Sequence, residues 1–365
     1  VDFVNETKVD AGWTFGFEPD GRELLVVAIK ATFQMPKNGE EPDLAQEQMP
    51  LTEADQFIGE PGFSTTLYEA DYAHRKPFCD VLLNGSAYAP DGRPKNSVTV
   101  ALRVDSMNKT FNVIGDRFWD RFILFAKPTP PRPFAMMPIT YDRAYGGADI
   151  HPDKPDTIKT FANNPIGVGY YPYSTGQHLI GKPLPNTEEL KKPIKSNNGN
   201  YLPMSFGPIG RNFKPRISFA GTYNKEWLDH VAPFWPDDFD YRYFQSAPPD
   251  QQIPYPKGGE QVILRNLTPE GYTNFQIPLV FMPVIFIPYR GEDIVEEAVL
   301  DTIVLEPDQK RFLLTWRVSL PLRKNCFELK QIIAGQKPRS WHWKRHAAVK
   351  GKAYYKGISE YIKSK

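Results

Sequence analysis

Cysteine is nearly absent from this 365-residue chain. Only Cys79 and Cys326 occur, so a disulfide framework is excluded, and without a paired Cys/His spacing so is a conventional zinc site. Both lie in apolar surroundings and are expected as buried free thiols, which suits a reducing cytoplasm. Long apolar runs are also missing. The most apolar stretch, Ile277 to Tyr289, is broken by Pro278, Pro283 and Pro288, and nothing approaches the roughly 18 residues of a membrane-spanning helix. No secretory-signal pattern opens the sequence, and neither a nucleophile-elbow glycine–serine pattern nor a zinc-protease histidine pair occurs.

Proline is abundant. The 36 prolines are about twice the usual share, which disfavours long helices, while 41% hydrophobic and 24% charged residues are those of a globular protein. Net charge is +1 but uneven. From Lys337 to Lys365, nine Lys or Arg face one acidic residue, Glu360, a local balance of +8; the rest therefore carries −7. An acidic body with a basic, aromatic tail results.

The first third reads as strand. Leu25, Val27, Ile29, Ala31 and Phe33 alternate with Val26, Ala28, Lys30 and Thr32, the pattern of a half-buried strand. Pro19-Asp20-Gly21 precedes it as a hairpin turn, and Pro90-Asp91-Gly92 repeats the device. Val98, Val100, Leu102 and Val104 then share a face opposite Thr99, Arg103 and Asp105. Between them, Asn38 to Glu60 is an acidic surface excursion with one helical turn capped by Thr52. Five prolines between Lys127 and Pro138 mark entry into a loop-rich centre. There, Thr187 is expected to cap a turn ending before Pro193, and Thr222 or Asn224 to start one through Trp227. Strands resume near Glu260, with turns at Pro269-Glu270-Gly271 and Glu306-Pro307-Asp308. In the strongest strand, Phe312, Leu314, Trp316, Val318 and Leu320 face one way. Leu329, Ile332 and Ile333 fit a short helix ended by Gly335, and Tyr354, Ile358, Tyr361 and Ile362 one face of a last amphipathic helix.

The expected fold is mainly β: an antiparallel β-sandwich-like body with a long ordered central loop region and a short helical, basic tail. Its divisions are an N-terminal β region, 1–127, a Pro/Gly/aromatic-rich centre, 128–256, a C-terminal β region packing with the rest, 257–325, and short helices with the tail, 326–365.

The centre is the most informative stretch. Charges in Asp142-Arg143 and Pro236-Asp237-Asp238-Phe239-Asp240-Tyr241-Arg242 sit among rings and glycines. Buried charges must be paired, so Asp142, Arg143, Arg216, Asp237, Asp238, Asp240 and Arg242 are expected to form a structural ion-pair network. The competing reading makes Asp238 and Asp240 a carboxylate site for glycan or phosphate-ester hydrolysis, with His230 or Glu226 carrying a proton. A near match to a phosphate-binding loop runs from Gly176 to Lys182, but Pro183 stands where Ser or Thr belongs. His151, Asp153 and Asp156 read as a surface turn. The tail interleaves lysines with Trp341, Trp343, Tyr354 and Tyr355, residue types that suit a nucleic acid or anionic surface; docking on the body or on a protein is preferred.

In order and combination, several central motifs resemble domain-of-unknown-function family 2169, whose members accompany bacterial type VI secretion genes. They are Asp142-Arg143-Ala144-Tyr145-Gly146-Gly147, Asn164-Pro165-Ile166-Gly167-Val168-Gly169-Tyr170, Leu184-Pro185-Asn186-Thr187-Glu188 and Gly207-Pro208-Ile209. Lys214-Pro215-Arg216, Ala220-Gly221-Thr222-Tyr223, Pro236-Asp237-Asp238-Phe239-Asp240, Ala247-Pro248-Pro249-Asp250-Gln251 and Gly258-Gly259-Glu260 continue the set. Tyr145 and Thr187 depart from the Phe and branched aliphatic expected there, and the basic tail lies outside the matched motifs. The resemblance implies a cytoplasmic, non-catalytic adaptor or chaperone, with no cofactor or metal and no catalytic residues to carry over. It would hold an effector toxin and assist its loading onto the spike and its proline–alanine–alanine–arginine-repeat (PAAR) tip. Exposed aromatics dominate interface energy, so Tyr145, Tyr170, Tyr171, Tyr173 and Trp235 are the expected partner contacts.

Overall fold

The computed structural model describes residues 1–123 and 125–364, with the side chains of Tyr361 and Ser364 outside the description. The protein is mainly β. A six-stranded sheet runs in the order Gln252–Ile253, Cys79–Leu83, Val299–Glu306, Arg311–Pro321, Glu23–Gln34, Asp10–Phe17. Its one parallel pair joins Cys79–Leu83 to Val299–Glu306. An antiparallel five-stranded sheet orders Thr187–Glu188, Met107–Ile114, Ser97–Val104, Gln261–Arg265 and Tyr272–Gln276. Inward residues of both sheets share one core: Leu25, Val27 and Ile29 with Leu314 and Trp316 from the first, Val100, Leu102, Phe111 and Val262 from the second. Each such side chain, fully buried, contributes about 1.5–3 kcal/mol. Both sheets interleave strands from the two β regions.

The turns follow local chemistry. Gly21, at φ +81°, closes the hairpin between Asp10–Phe17 and Glu23–Gln34, and Pro269-Glu270-Gly271 closes the one between Gln261–Arg265 and Tyr272–Gln276. Pro90-Asp91-Gly92 differs. It links strands of separate sheets, since Gly85–Tyr88 pairs with Met136–Ile139 and Ser97–Val104 with Met107–Ile114.

Glu23–Gln34 is not half-buried; every residue from Leu24 to Phe33 is buried. Its polar face is covered by the 45–75 segment, where Lys30 bonds Thr52 and Asp71, and the Gln48 side chain pairs with the Thr32 backbone. Thr52 therefore caps no helix. Thr187 is also strand, paired with Val113. Asn224 does cap a helix, Lys225–His230, accepting from the Trp227 N–H at 2.9 Å. Leu329–Ala334 is a strand, hydrogen-bonded along both edges to Asp2–Asn5 and Pro283–Pro288, with Ile332 and Ala334 in the main core and Ile333 in a separate cluster with Trp341. Together with Ile294–Glu297 these form a four-stranded sheet.

On that sheet sits the helix Arg339–Val349, Trp341 packing with Val4, Ile285, Ile287 and Ile333. Lys337 pairs with Glu6 and Arg345 with Asp293, so the tail docks on the protein's own acids. In the last helix, Ile358–Ser364, Ile358 and Ile362 are exposed, Tyr354 precedes it, and the Tyr361 side chain lies outside the described residues. Cys79 is buried and Cys326 only partly so; both are free.

Candidate functional site

The polar face of the large sheet carries the most concentrated charge. Lys30 lies 2.9 Å from Asp71, Lys76 2.8 Å from Asp80, and Arg317 pairs with Asp301 while donating to the Asp71 carbonyl. Asp80 also accepts from the Gln245 amide and the Ser246 and Ala247 N–H groups, fastening the centre to the sheet. Burial raises the Asp301 carboxyl, against the pull of Arg317 and Lys76, and likewise raises the Cys79 thiol. Between sheet and cover remains a cavity of about 30 Å³, lined by Lys30, Asp71, Lys76 and Arg317. That is room for about two waters and none for a substrate.

The expected network among central charges does not form as one unit. Arg216, 1% exposed, pairs with Glu69 and donates to the Ile209 and Tyr243 carbonyls. Arg211 pairs with Asp55 at 2.6 Å. Burial would raise Asp55, but the Arg211 guanidinium and the Ala70 N–H leave it below the usual carboxylate range. The acids that answer these arginines thus come from the excursion and its continuation. Arg143 donates to Asn186, and Asp142 accepts from Thr65. Asp237 and Asp238 are exposed, and Asp238 accepts from the Thr222 N–H and hydroxyl, which lower its pKa. Only Asp240 and Arg242 pair with each other, over two residues.

The proposed hydrolytic group is dispersed in the same way. Asp238 and Asp240 have different local partners, while Glu226 and His230 are exposed on their helix. Lys182 of the phosphate-loop lookalike is held by Asp149 and Ser174 at 2.9 and 2.6 Å. His151 and Asp153 form the turn of a surface hairpin. Among the described residues, no three His, Cys, Asp or Glu side chains converge on a metal-sized site.

The central aromatics build a second core rather than a surface. Tyr145 is fully buried, edge-to-face with Phe161 and Tyr201, its hydroxyl donating to the Gly199 carbonyl. Tyr171 is 8% exposed and donates to the Pro183 carbonyl; burial pushes its phenol up to about 12. Neither can be a surface contact. Tyr145-Gly146 runs parallel to Val168-Gly169, so the two glycine motifs pair. Gly147 has φ +97°, and a side chain there would meet the Gly167 carbonyl at 2.3 Å. Tyr170 and Tyr173 are half-buried. So is Trp235, whose indole N–H donates to the Phe17 carbonyl and whose ring stacks on Phe239 at 4.4 Å.

Sequence reasoning overlooks a conspicuous apolar projection, the hairpin of Trp119–Phe122 and Phe125–Pro128. Its base is fixed: Trp119 exchanges backbone bonds with Gly181 and Lys182 and belongs to the second core. Its tip is exposed, with Phe122 at 45%, Ile123 at 78% and Phe125 at 60%. The available signal is a run of four apolar residues, 122–125, where a hairpin tip calls for Gly, Asn or Asp.

No helix among the described residues is long and apolar enough to cross a membrane. Neither the curated proteins nor the solved structures contain a match to this chain. The family model described as an uncharacterized protein conserved in bacteria, DUF2169, matches residues 20–317, and the chain belongs to that family.

Proposed function

We propose that this protein is a non-catalytic, cytoplasmic adaptor that holds a type VI secretion effector toxin and assists its loading onto the spike and PAAR tip. The link to secretion rests on the motif resemblance. The observation that carries the binding role is the hairpin, whose apolar tip stands in solvent on a base fixed by backbone bonds and by core packing of Trp119. Exposed apolar patches of this kind mark interaction sites. Charges of the covered sheet face are paired internally, and the space left between sheet and cover is about 30 Å³, as suits a rigid frame. Tyr170, Tyr173 and Trp235 keep exposed edges and remain candidate contacts.

Affinity purification of the tagged full-length protein from its native host, with mass spectrometry of the eluate, tests this reading. One toxin encoded at the same locus should be recovered, with spike components. An empty eluate from a host shown to express the locus would overturn the adaptor role, as would turnover of a glycan or phosphate ester by the purified protein.

A further inference from the structure

Beside the projecting hairpin lies a groove of about 570 Å³. Trp119, Arg121 and Phe125 line it from the hairpin, Leu179, Ile180 and Lys195 from the facing segments. Its charge is of one sign, since among the described residues Arg121 and Lys195 are its only ionisable lining residues. Both are exposed, and neither side-chain cation has an acidic partner among the described residues. The wall of the groove is firm, since Trp119 is 3% exposed and belongs to the second core.

We infer that this groove docks an acidic segment of the client protein, one presenting aliphatic or aromatic side chains on one face and Asp or Glu beside them. The apolar side chains pack against Ile123, Phe125 and Ile180, and the carboxylates meet Arg121 and Lys195. Complementary charge fixes register and speeds encounter, while the apolar anchors set the dissociation rate. This inference rests on the adaptor reading and specifies where on its surface the client sits.

The test uses the full chain in its native host, with the photo-crosslinker p-benzoylphenylalanine at Phe125 or, as a control on a different exposed hairpin, at Ile158. The expected result is an adduct from Phe125 alone, mapped by mass spectrometry to an acidic, apolar segment of a secreted toxin. In vitro, the Arg121→Glu/Lys195→Glu variant should bind that toxin about tenfold or more weakly and lose its sensitivity to salt. Ile123→Asp should lose about tenfold through its apolar contact. Because all three side chains are exposed, melting temperatures should match the parent and separate lost binding from lost folding. Toxin adducts from Ile158 but not Phe125 would overturn the groove while leaving the adaptor role intact, and so would unchanged affinity in both variants. Absence of toxin from either position and from the affinity eluate would overturn both readings.

Discussion

Arg216 shows what a single buried charge does here. Its guanidinium reaches Glu69 across 147 residues of chain and also satisfies two backbone carbonyls. Replacing it with Met leaves Glu69 with only the longer 3.7 Å contact to Arg211 and two backbone carbonyls without their donor, at a cost of about 3 kcal/mol, the low end for a broken buried pair. Urea unfolding should show that loss, and Arg216→Met/Glu69→Met should recover most of it; a single variant as stable as the parent would refute the assignment. Asp238→Asn, on an exposed turn, should leave the unfolding midpoint nearly unchanged. Asp149 makes the pH-dependent counterpart. Burial alone would raise its pKa, yet the Lys182 ammonium, the Ser174 hydroxyl and two backbone N–H groups bring it below the ordinary value. Its folded pKa is thus lower than its unfolded one. The stability it contributes is fully present above the unfolded pKa of about 3.9 and is lost as pH falls through the folded value. Asp149→Asn should therefore flatten the acid limb of the stability–pH profile below about pH 5, measured by chemical denaturation across pH. An unaltered limb would place the acid sensitivity elsewhere.

Among the elements, Lys225–His230 is a six-residue helix with no buried side chain, held at its start by the Asn224 cap. Asn224→Ala should cost that helix about 0.5–2 kcal/mol. Amide exchange should quicken at Trp227 and Leu228 while global unfolding stays put, and unchanged exchange would show the cap to be dispensable. That cap was legible because its partner is three residues away. So were the strands whose alternation has one wet face, such as Val98 to Val104. Leu329–Ala334 was not legible as a strand. A spacing of three and four fits a helix face and equally a strand buried on both sides. What decides is pairing with Asp2–Asn5, where Asp2 and Gln331 stand 329 residues apart. The candidate site failed for related reasons. Rings in Tyr145 and Tyr171 announce contact but not with what, and here the contact is each other's neighbours. The hairpin tip is hidden in the sequence because four apolar residues in a row resemble the inside of a sheet.

At the scale of the molecule, the two large sheets are woven from both ends of the chain. Glu23–Gln34 lies between Asp10–Phe17 and Arg311–Pro321, and Cys79–Leu83 lies between Gln252–Ile253 and Val299–Glu306. A fragment of residues 1–127 consequently lacks the neighbours that bury its longest strand. It should give no dispersed NMR spectrum and no cooperative melt, whereas the full chain should melt in a transition that involves both sheets. A well-folded fragment would contradict the shared core. The same weave governs biosynthesis. After the Glu23–Gln34 strand leaves the ribosome, about 280 further residues must be made before Arg311–Pro321 can cover its open edge. At about 5–20 residues per second, the nascent chain carries that apolar edge for about 15 to 60 s. Slower translation lengthens the exposure, so the yield of folded protein should rise when that edge is shielded during synthesis, by a co-expressed holding chaperone for example.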